Sequence, residues 1–265
     1  MSTISTYMEV ATQCARDAGR LIMERLSGSI EVSFKTSSSD LVTQVDKEVE
    51  QFVVSRLLSY FPDHGILGEE GMFAGNHEDY DTVWIIDPID GTTNFVHQGI
   101  NFCVSISLYD KEDGLVGVIY DPTRDEMFVG SKGNGATMNE IQLKLDGSIE
   151  LEESVIGTNI LWDQKLLKWG LESSVREIIQ HCRGIRSIGS AALELAYVAA
   201  GRTSGYCALG LAAWDYGAGK IIIEEAGGKV TRIDGDMINP REKGTLLACH
   251  PSIHNKLIEL IKVDF

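Results

Sequence analysis

The stretch Trp84–Phe95, WIIDPIDGTTNF, decides how this chain is read. Val83 to Ile86 are four apolar or β-prone residues in a row, the pattern of a strand buried on both faces, which puts Asp87 at its carboxyl end. Pro88 has no amide hydrogen for a ladder and is expected to stop the strand. Asp90 and Gly91 then supply a turn, and Thr92 and Thr93 start a helix whose free amides and dipole favour an anion. Hard divalent cations such as Mg2+ take oxygen ligands, and two carboxylates in one tight turn can serve them. The segment reads as a metal-and-phosphate site with Asp87 and Asp90 as its first ligands. The same residue types also build ordinary turns in which aspartates cap backbone amides.

Spacing removes two other chemistries. An EF-hand loop needs an acidic or amide side chain at every second position, and Ile89 stands where one is required. Phosphoryl transfer through an aspartyl nucleophile, with two aspartates separated by a single residue, does not fit the Pro88–Ile89 spacer. Direct attack by a metal-activated water does fit.

Working outward, apolar residues at Met8, Ala11, Ala15, Ala18, Ile22 and Leu26 predict an amphipathic helix from Tyr7 to Leu26, ended by Gly28. The serine-rich stretch Ile30 to Asp40 reads as a hairpin or mobile loop. A second helix is expected from Val45 to Tyr60, with Val45, Val49, Phe52, Val53 and Leu57 on its buried face. Strands are expected at Ile66–Glu69, Val83–Asp87, Phe102–Tyr109, Val116–Tyr120 and Met127–Val129, a mainly antiparallel block. Helical patterns at Asp163–His181, Ala191–Ala200, Trp214–Ala226 and Ile253–Ile261 alternate with short strands, so the second half reads as layered α/β. No internal repeat or linker breaks the chain. Residues 1–265 are read as one domain with two closely packed α/β lobes.

The 265 residues are 43% hydrophobic and 23% charged, enough to bury a large core. A formal net charge of -16 disfavours a nucleic-acid or anionic-membrane surface and favours cations. Five scattered cysteines carry no zinc or disulfide spacing and are expected reduced and mostly buried. The first residues lack a signal-peptide pattern and no apolar stretch reaches a membrane span, so the expected location is cytoplasmic.

Further carboxylates stand beside the central pair. Glu69 and Glu70 close the run GILGEE, although most Glu-Glu pairs are solvated loop charges. Asp215 opens a helix rich in small residues, where an acid also favours the dipole. Thr43, Asp46 and Glu50 mark the first turns of the second helix, where a capping role is the simpler reading.

Taken in order, DLVTQVD, GEE, DPIDGTTNF and WDYGAG, with RSIGSA and EEAGG, resemble the inositol monophosphatase family of Mg2+-dependent, lithium-sensitive phosphatases. The resemblance covers nearly the whole chain. It implies the sugar phosphatase fold, an α/β (α+β layered) protein built as an alternating αβαβα sandwich, in a homodimer. It implies two or three Mg2+ per site, with Mn2+ as a substitute. The first metal would be held by Glu69, Asp87 and the Ile89 carbonyl, and the second by Asp87, Asp90 and Asp215, with Glu69 also facing a weaker third. About three divalent ions against four carboxylates and a doubly charged phosphate leave such a site near neutral, and the metal-free cluster repels itself.

The catalytic residues it implies are Asp46 and Thr92, which orient or deprotonate the attacking water, together with Glu69. Gly91 and Thr92 amides would hold the phosphate. Gly189, Ser190 and Ala191 resemble the sugar-contacting turn, with Asp90 and Asp215 completing the substrate contacts, and Lys35 matches a mobile loop over the site. At Ala208, where many inositol-preferring members carry glutamate, a methyl cannot accept a hydrogen bond, so a broader or shifted substrate range is expected.

The expected activity is hydrolysis of inositol monophosphate or a related sugar phosphate, a small-molecule phosphate monoester. NADP(H) 2'-phosphatase and fructose-1,6-bisphosphatase activities at the same site are the alternatives. A regulatory protein-binding partner is the alternative of another class, because a bacterial relative in this family also acts in transcription complexes. A purely structural cation-binding protein ranks last.

Overall fold

The computed structural model describes residues 3–28, 32–34 and 41–261. Helices α1 (Thr3–Leu26) and α2 (Gln44–Tyr60) form the first layer, joined through an antiparallel hairpin of β1 (Val32–Phe34) and β2 (Leu41–Thr43). Lys35 and Asp40 lie outside the described residues. Ala11, Ala15, Ala18 and Ile22 of α1 are fully buried, as their three- and four-residue spacing requires.

That layer covers a seven-stranded sheet of β3 (Gly65–Gly68), β4 (Thr82–Asp90), β5 (Cys103–Asp110), β6 (Asp113–Asp121), β7 (Glu126–Ser131), β8 (Gly135–Met138) and β9 (Ile141–Leu143). The strands pair in chain order, antiparallel except for β3 with β4. Alternation along them is strict where it counts. Val104, Ile106, Val118 and Tyr120 pack with α1 and α2, while Cys103 and Ile119 face the other way. The strands β8 and β9 lie in a stretch that carries no apolar run.

Between the two sheets lie α6 (Ala191–Ala199) and α7 (Ala213–Glu225). The approach of α7 is close because β6 and β7 present glycines to it: a Cβ at Gly117 would lie 2.5 Å from the Ala218 carbonyl, and one at Gly130 would lie 2.7 Å from the Ile222 Cα. Beyond them is a five-stranded sheet, ordered β11 (Gly184–Arg186), β10 (Val155–Thr158), β12 (Gly205–Leu211), β14 (Gly244–Cys249), β13 (Lys229–Thr231). Its outer face packs with α5 (Glu172–His181) and α8 (Pro251–Leu260). The result is the expected αβαβα sandwich.

Two expectations are corrected. Pro88 does not stop β4, which continues to Asp90: Asp87 pairs Ser105 and Asp90 pairs Cys103, so β4 carries one extra residue. A β-bulge absorbs the proline, whose missing amide hydrogen costs nothing at an unpaired position. The helix expected over Asp163–His181 is broken at Gly170, at φ 64°, into α4 (Lys165–Lys168) and α5. The strand β5 is buried from Cys103 to Tyr109, whereas Leu167 and Ile179 on α4 and α5 are exposed.

All five cysteines are free, four of them buried. Among the described residues no helix is long and apolar enough to cross a membrane.

Candidate active site

The bulge in β4 is where the site begins. Because it inserts a residue, the Asp87 and Asp90 side chains are re-aimed toward one point instead of keeping strict strand alternation. Asp215, in the first turn of α7, completes the cluster: Asp87, Asp90 and Asp215 each offer an oxygen, all within 4.8 Å of one another. Glu69, directly after β3, has its carboxyl in hydrogen-bond contact with Asp87. Three segments distant in sequence, the end of β3, β4 and α7, thus converge on one acidic cluster.

Its electrostatics show the cost of that convergence. Burial, then the charges of Glu69, Asp90 and Asp215, hold the Asp87 carboxyl well above the usual carboxylate range. Burial pushes Asp90 up to about 6 against the lowering effect of Ser190 and backbone amides. Asp215 is pushed up to about 8 by burial and then by Asp90. Carboxylates crowded and desolvated in this way hold protons unless a cation replaces them.

Asp46 is fully buried on α2, and its Oδ1 lies 3.1 Å from the Thr92 hydroxyl, which is also 3.2 Å from the Ile89 carbonyl. One hydroxyl proton serves either acceptor, so Asp46, Thr92 and the Ile89 carbonyl share a single hydrogen-bonded corner. Gly91 caps α3 (Thr92–His97) with φ 95°, a conformation that places it against Asn101 and Ser190, where a Cβ would be 3.0 Å from the Asn101 carbonyl. With six residues, α3 contributes first-turn amides rather than a long helix's dipole.

Asp90 also binds the second half of the site. Its Oδ2 accepts the Ser190 hydroxyl at 2.6 Å and the Ala192 amide at 2.5 Å, while Ser190 caps α6. Asn94 donates to the carbonyls of Asn101 and Ile188, both at 2.8 Å, and holds the turn that leads to Gly189. Beside this turn is a cavity of about 290 Å3, lined by Asp90, Gly189, Ser190, Ala191 and Asp215, and by Asn159, Glu194 and Tyr206.

Three of those residues, Glu194, Asn159 and Tyr206, were not singled out from the sequence. Glu194 is buried; its Oε1 accepts the Ile188 amide at 2.6 Å and its Oε2 has no hydrogen-bond partner. The Asn159 Oδ1 likewise has none. A lone glutamate in the apolar helix AALELAYVA was the available signal. Asn159, in a loop after β10, offered none. Ala208 packs in the core between the second sheet and α6–α7 and does not line the cavity. Glu50 is corrected too: neither capping nor solvated, it is fully buried one turn after Asp46.

This αβαβα frame and its carboxylate cluster fit a metal-dependent phosphoric monoester hydrolase. Residues 4–263 match the profile of the inositol monophosphatase family, and the chain belongs to that family. It is 42% identical to an inositol-1-monophosphatase of Bacillus subtilis (strain 168), with 95% of this chain and 94% of that protein covered. It is 37% identical to a Nus factor SuhB of Pasteurella multocida (strain Pm70), covering 98% and 97%. Among solved structures, the extragenic suppressor protein suhB of Bartonella henselae superposes with a TM-score of 0.89 at 35% identity, covering 98% and 100%. SaIMPase-II bound to inositol monophosphate superposes with a TM-score of 0.83 at 31% identity, covering 96% and 92%.

Proposed function

We propose that this protein hydrolyses polyol phosphates of the inositol monophosphate type with Mg2+ held by Glu69, Asp87, the Ile89 carbonyl, Asp90 and Asp215. The observation that carries the reading is the convergence of Asp87, Asp90 and Asp215 within 4.8 Å, beside Glu69. An all-oxygen donor set of this kind suits a hard divalent cation, and the raised carboxyl pKa values are what such a cation would relieve. When bound, Mg2+ supplies charge neutralisation for the phosphate and lowers the pKa of the attacking water.

The chain's own residues supply the rest. Thr92 and Asp46 align the water and take up its proton, the Thr92 hydroxyl being linked to the buried Asp46 carboxylate at 3.1 Å. The Gly91 and Thr92 amides hold phosphate oxygens. Asp90 fixes the geometry by anchoring the Ser190 turn. Glu194 and Asn159 read the alcohol: both line the cavity beside the carboxylate cluster, and each carries a buried oxygen that no donor yet satisfies. Position 208 does not reach this cavity, so the acceptors there come from Glu194 and Asn159, and a ring bearing several hydroxyls is preferred to a simple ester.

The test is phosphate release from inositol 1-phosphate, fructose 1,6-bisphosphate, NADP and 2'-AMP, each with Mg2+ and with a chelator. The highest kcat/KM is expected for inositol 1-phosphate, with no turnover under the chelator. Turnover that survives the chelator, or a preference for NADP, would refute the reading. The Nus factor relatives favour a regulatory second role. If that role is independent of chemistry, Asp90→Asn should restore a deletion strain fully.

A further inference from the structure

Glu69 carries a ligand carboxyl but stands just outside β3, at the start of the loop that leaves it. Both peptide units around it are nonetheless fixed. Its own amide donates to the Ile86 carbonyl at 3.2 Å, one residue before Asp87 on β4. The next amide, Glu70, donates to Glu50 Oε2 at 2.7 Å, and Met72 donates to Glu50 Oε1 at 2.8 Å. Both Glu50 oxygens accept backbone amides, and Glu50 is not among the clustered carboxylates. It is fully buried on α2, one turn beyond Asp46, and the carboxylate fits because Gly68 has no Cβ: one built there would collide with Glu50 Oε1.

We propose that Glu50 is a positioning residue that clamps the Glu69–Met72 backbone, and through it sets where the Glu69 carboxyl stands and how tightly Mg2+ is held. The inference rests on the cation reading above. A charged acceptor bonded to two amides is stronger and more directional than a neutral one. Its removal frees the one ligand whose backbone lies beyond a strand end. Asp46 and Glu50 then divide the work of a single helix: one faces the water corner, the other fixes a ligand loop.

The experiment is a calorimetric titration of metal-free, folded protein with Mg2+, without substrate, on wild type, Glu50→Gln, Glu69→Gln and the double variant. Glu50→Gln keeps the shape but offers an amide hydrogen where one oxygen accepted. It is expected to weaken Mg2+ binding about 10-fold, the loss typical when a residue supporting a metal ligand is changed, with KM at saturating Mg2+ unchanged. The double variant is expected to bind no more weakly than Glu69→Gln alone, because the clamp has nothing left to position. A fold-stabilising role alone would lower Tm and leave the affinity of the folded protein at the wild-type value. That result, or losses that simply add in the double variant, would overturn the proposal. Gly68→Ala, which crowds the Glu50 carboxylate without altering it, is the second variant should Glu50→Gln not fold. It is expected to weaken Mg2+ binding similarly, and wild-type affinity there would equally overturn the clamp. If wild-type protein binds no Mg2+, the cation reading itself fails and the clamp goes with it; a failure in the variants alone leaves that reading standing.

Discussion

The two halves of the site are built differently. On the β4 side, Asp46, Glu50, Thr92 and Asp90 are bonded to their surroundings, with Glu50 using both oxygens and Asp90 Oδ2 taking two donors. On the second-sheet side, Glu194 and Asn159 line a cavity, and each carries a buried oxygen without a hydrogen-bond partner. The first half is rigid before anything binds, as transition-state stabilisation needs. The second half leaves hydrogen-bonding capacity for the alcohol to complete, as discrimination needs.

The contrast predicts that damage on the first side falls on kcat and damage on the second on KM. The largest effect is expected for Asp90→Asn, which removes a cluster charge and weakens the anchor of the Ser190 turn. Turnover should fall roughly 10^3-fold, the scale of removing one well-placed electrostatic group. Steady-state kinetics with saturating Mg2+ checks this, and full turnover would break the assignment of the cluster. Thr92→Val deletes the hydroxyl between Asp46 and Ile89 while keeping the side-chain shape; kcat should drop about 10^2-fold with little change in KM, the lower range for losing a proton-handling group. A change confined to KM would move Thr92 out of the water corner.

Glu194→Gln retains an oxygen for the Ile188 amide but replaces the free acceptor with a donor. KM for inositol 1-phosphate should rise about 10-fold, in line with leaving a buried group mispaired, while p-nitrophenyl phosphate is hydrolysed as before. Equal losses on both substrates would mean that Glu194 only supports the turn. The smallest effect is a pH dependence. Folded-state values of about 6 for Asp90 and about 8 for Asp215 lie above the ordinary carboxylate value of 3.8. The metal-free fold therefore holds protons that the unfolded chain has released. Their stabilisation is complete below the ordinary value and is lost as pH rises through about 6 and about 8. Mg2+ needs the ionised forms, so its stabilising effect should grow over the same window. Thermal melts should show a Mg2+-induced rise in Tm roughly 2–4 °C larger at pH 8 than near pH 5, equivalent to about 1 kcal/mol. A constant rise would place the protons elsewhere.

The sequence was most legible where chemistry is local. WIIDPIDGTTNF announced its strand, its two aspartates and its helix start, since strand, turn and cap each have a residue signature. Pro88 was misread because a proline signals a strand end and a bulge alike, and the register that separates them belongs to β5. Glu50 reads as part of a cap because acids in a helix's first turns commonly serve there, and only the packing of α2 against the Glu69 loop buries it. Asn159 was silent for the same reason.

By itself, the order of residues settled which side chains could bind a cation, where the helices and main strands run, and which family the chain joins, because periodicity and short motifs are encoded within a few neighbouring positions. Only the tertiary structure settled that Asp215, over a hundred positions downstream, stands beside the β4 bulge, that Glu50 accepts the Glu70 and Met72 amides, and that Glu194 lines the cavity beside the Ser190 turn. Those facts depend on how two sheets close on α6 and α7, and that closure is governed by Gly117 and Gly130 letting α7 approach rather than by anything written near the acidic residues.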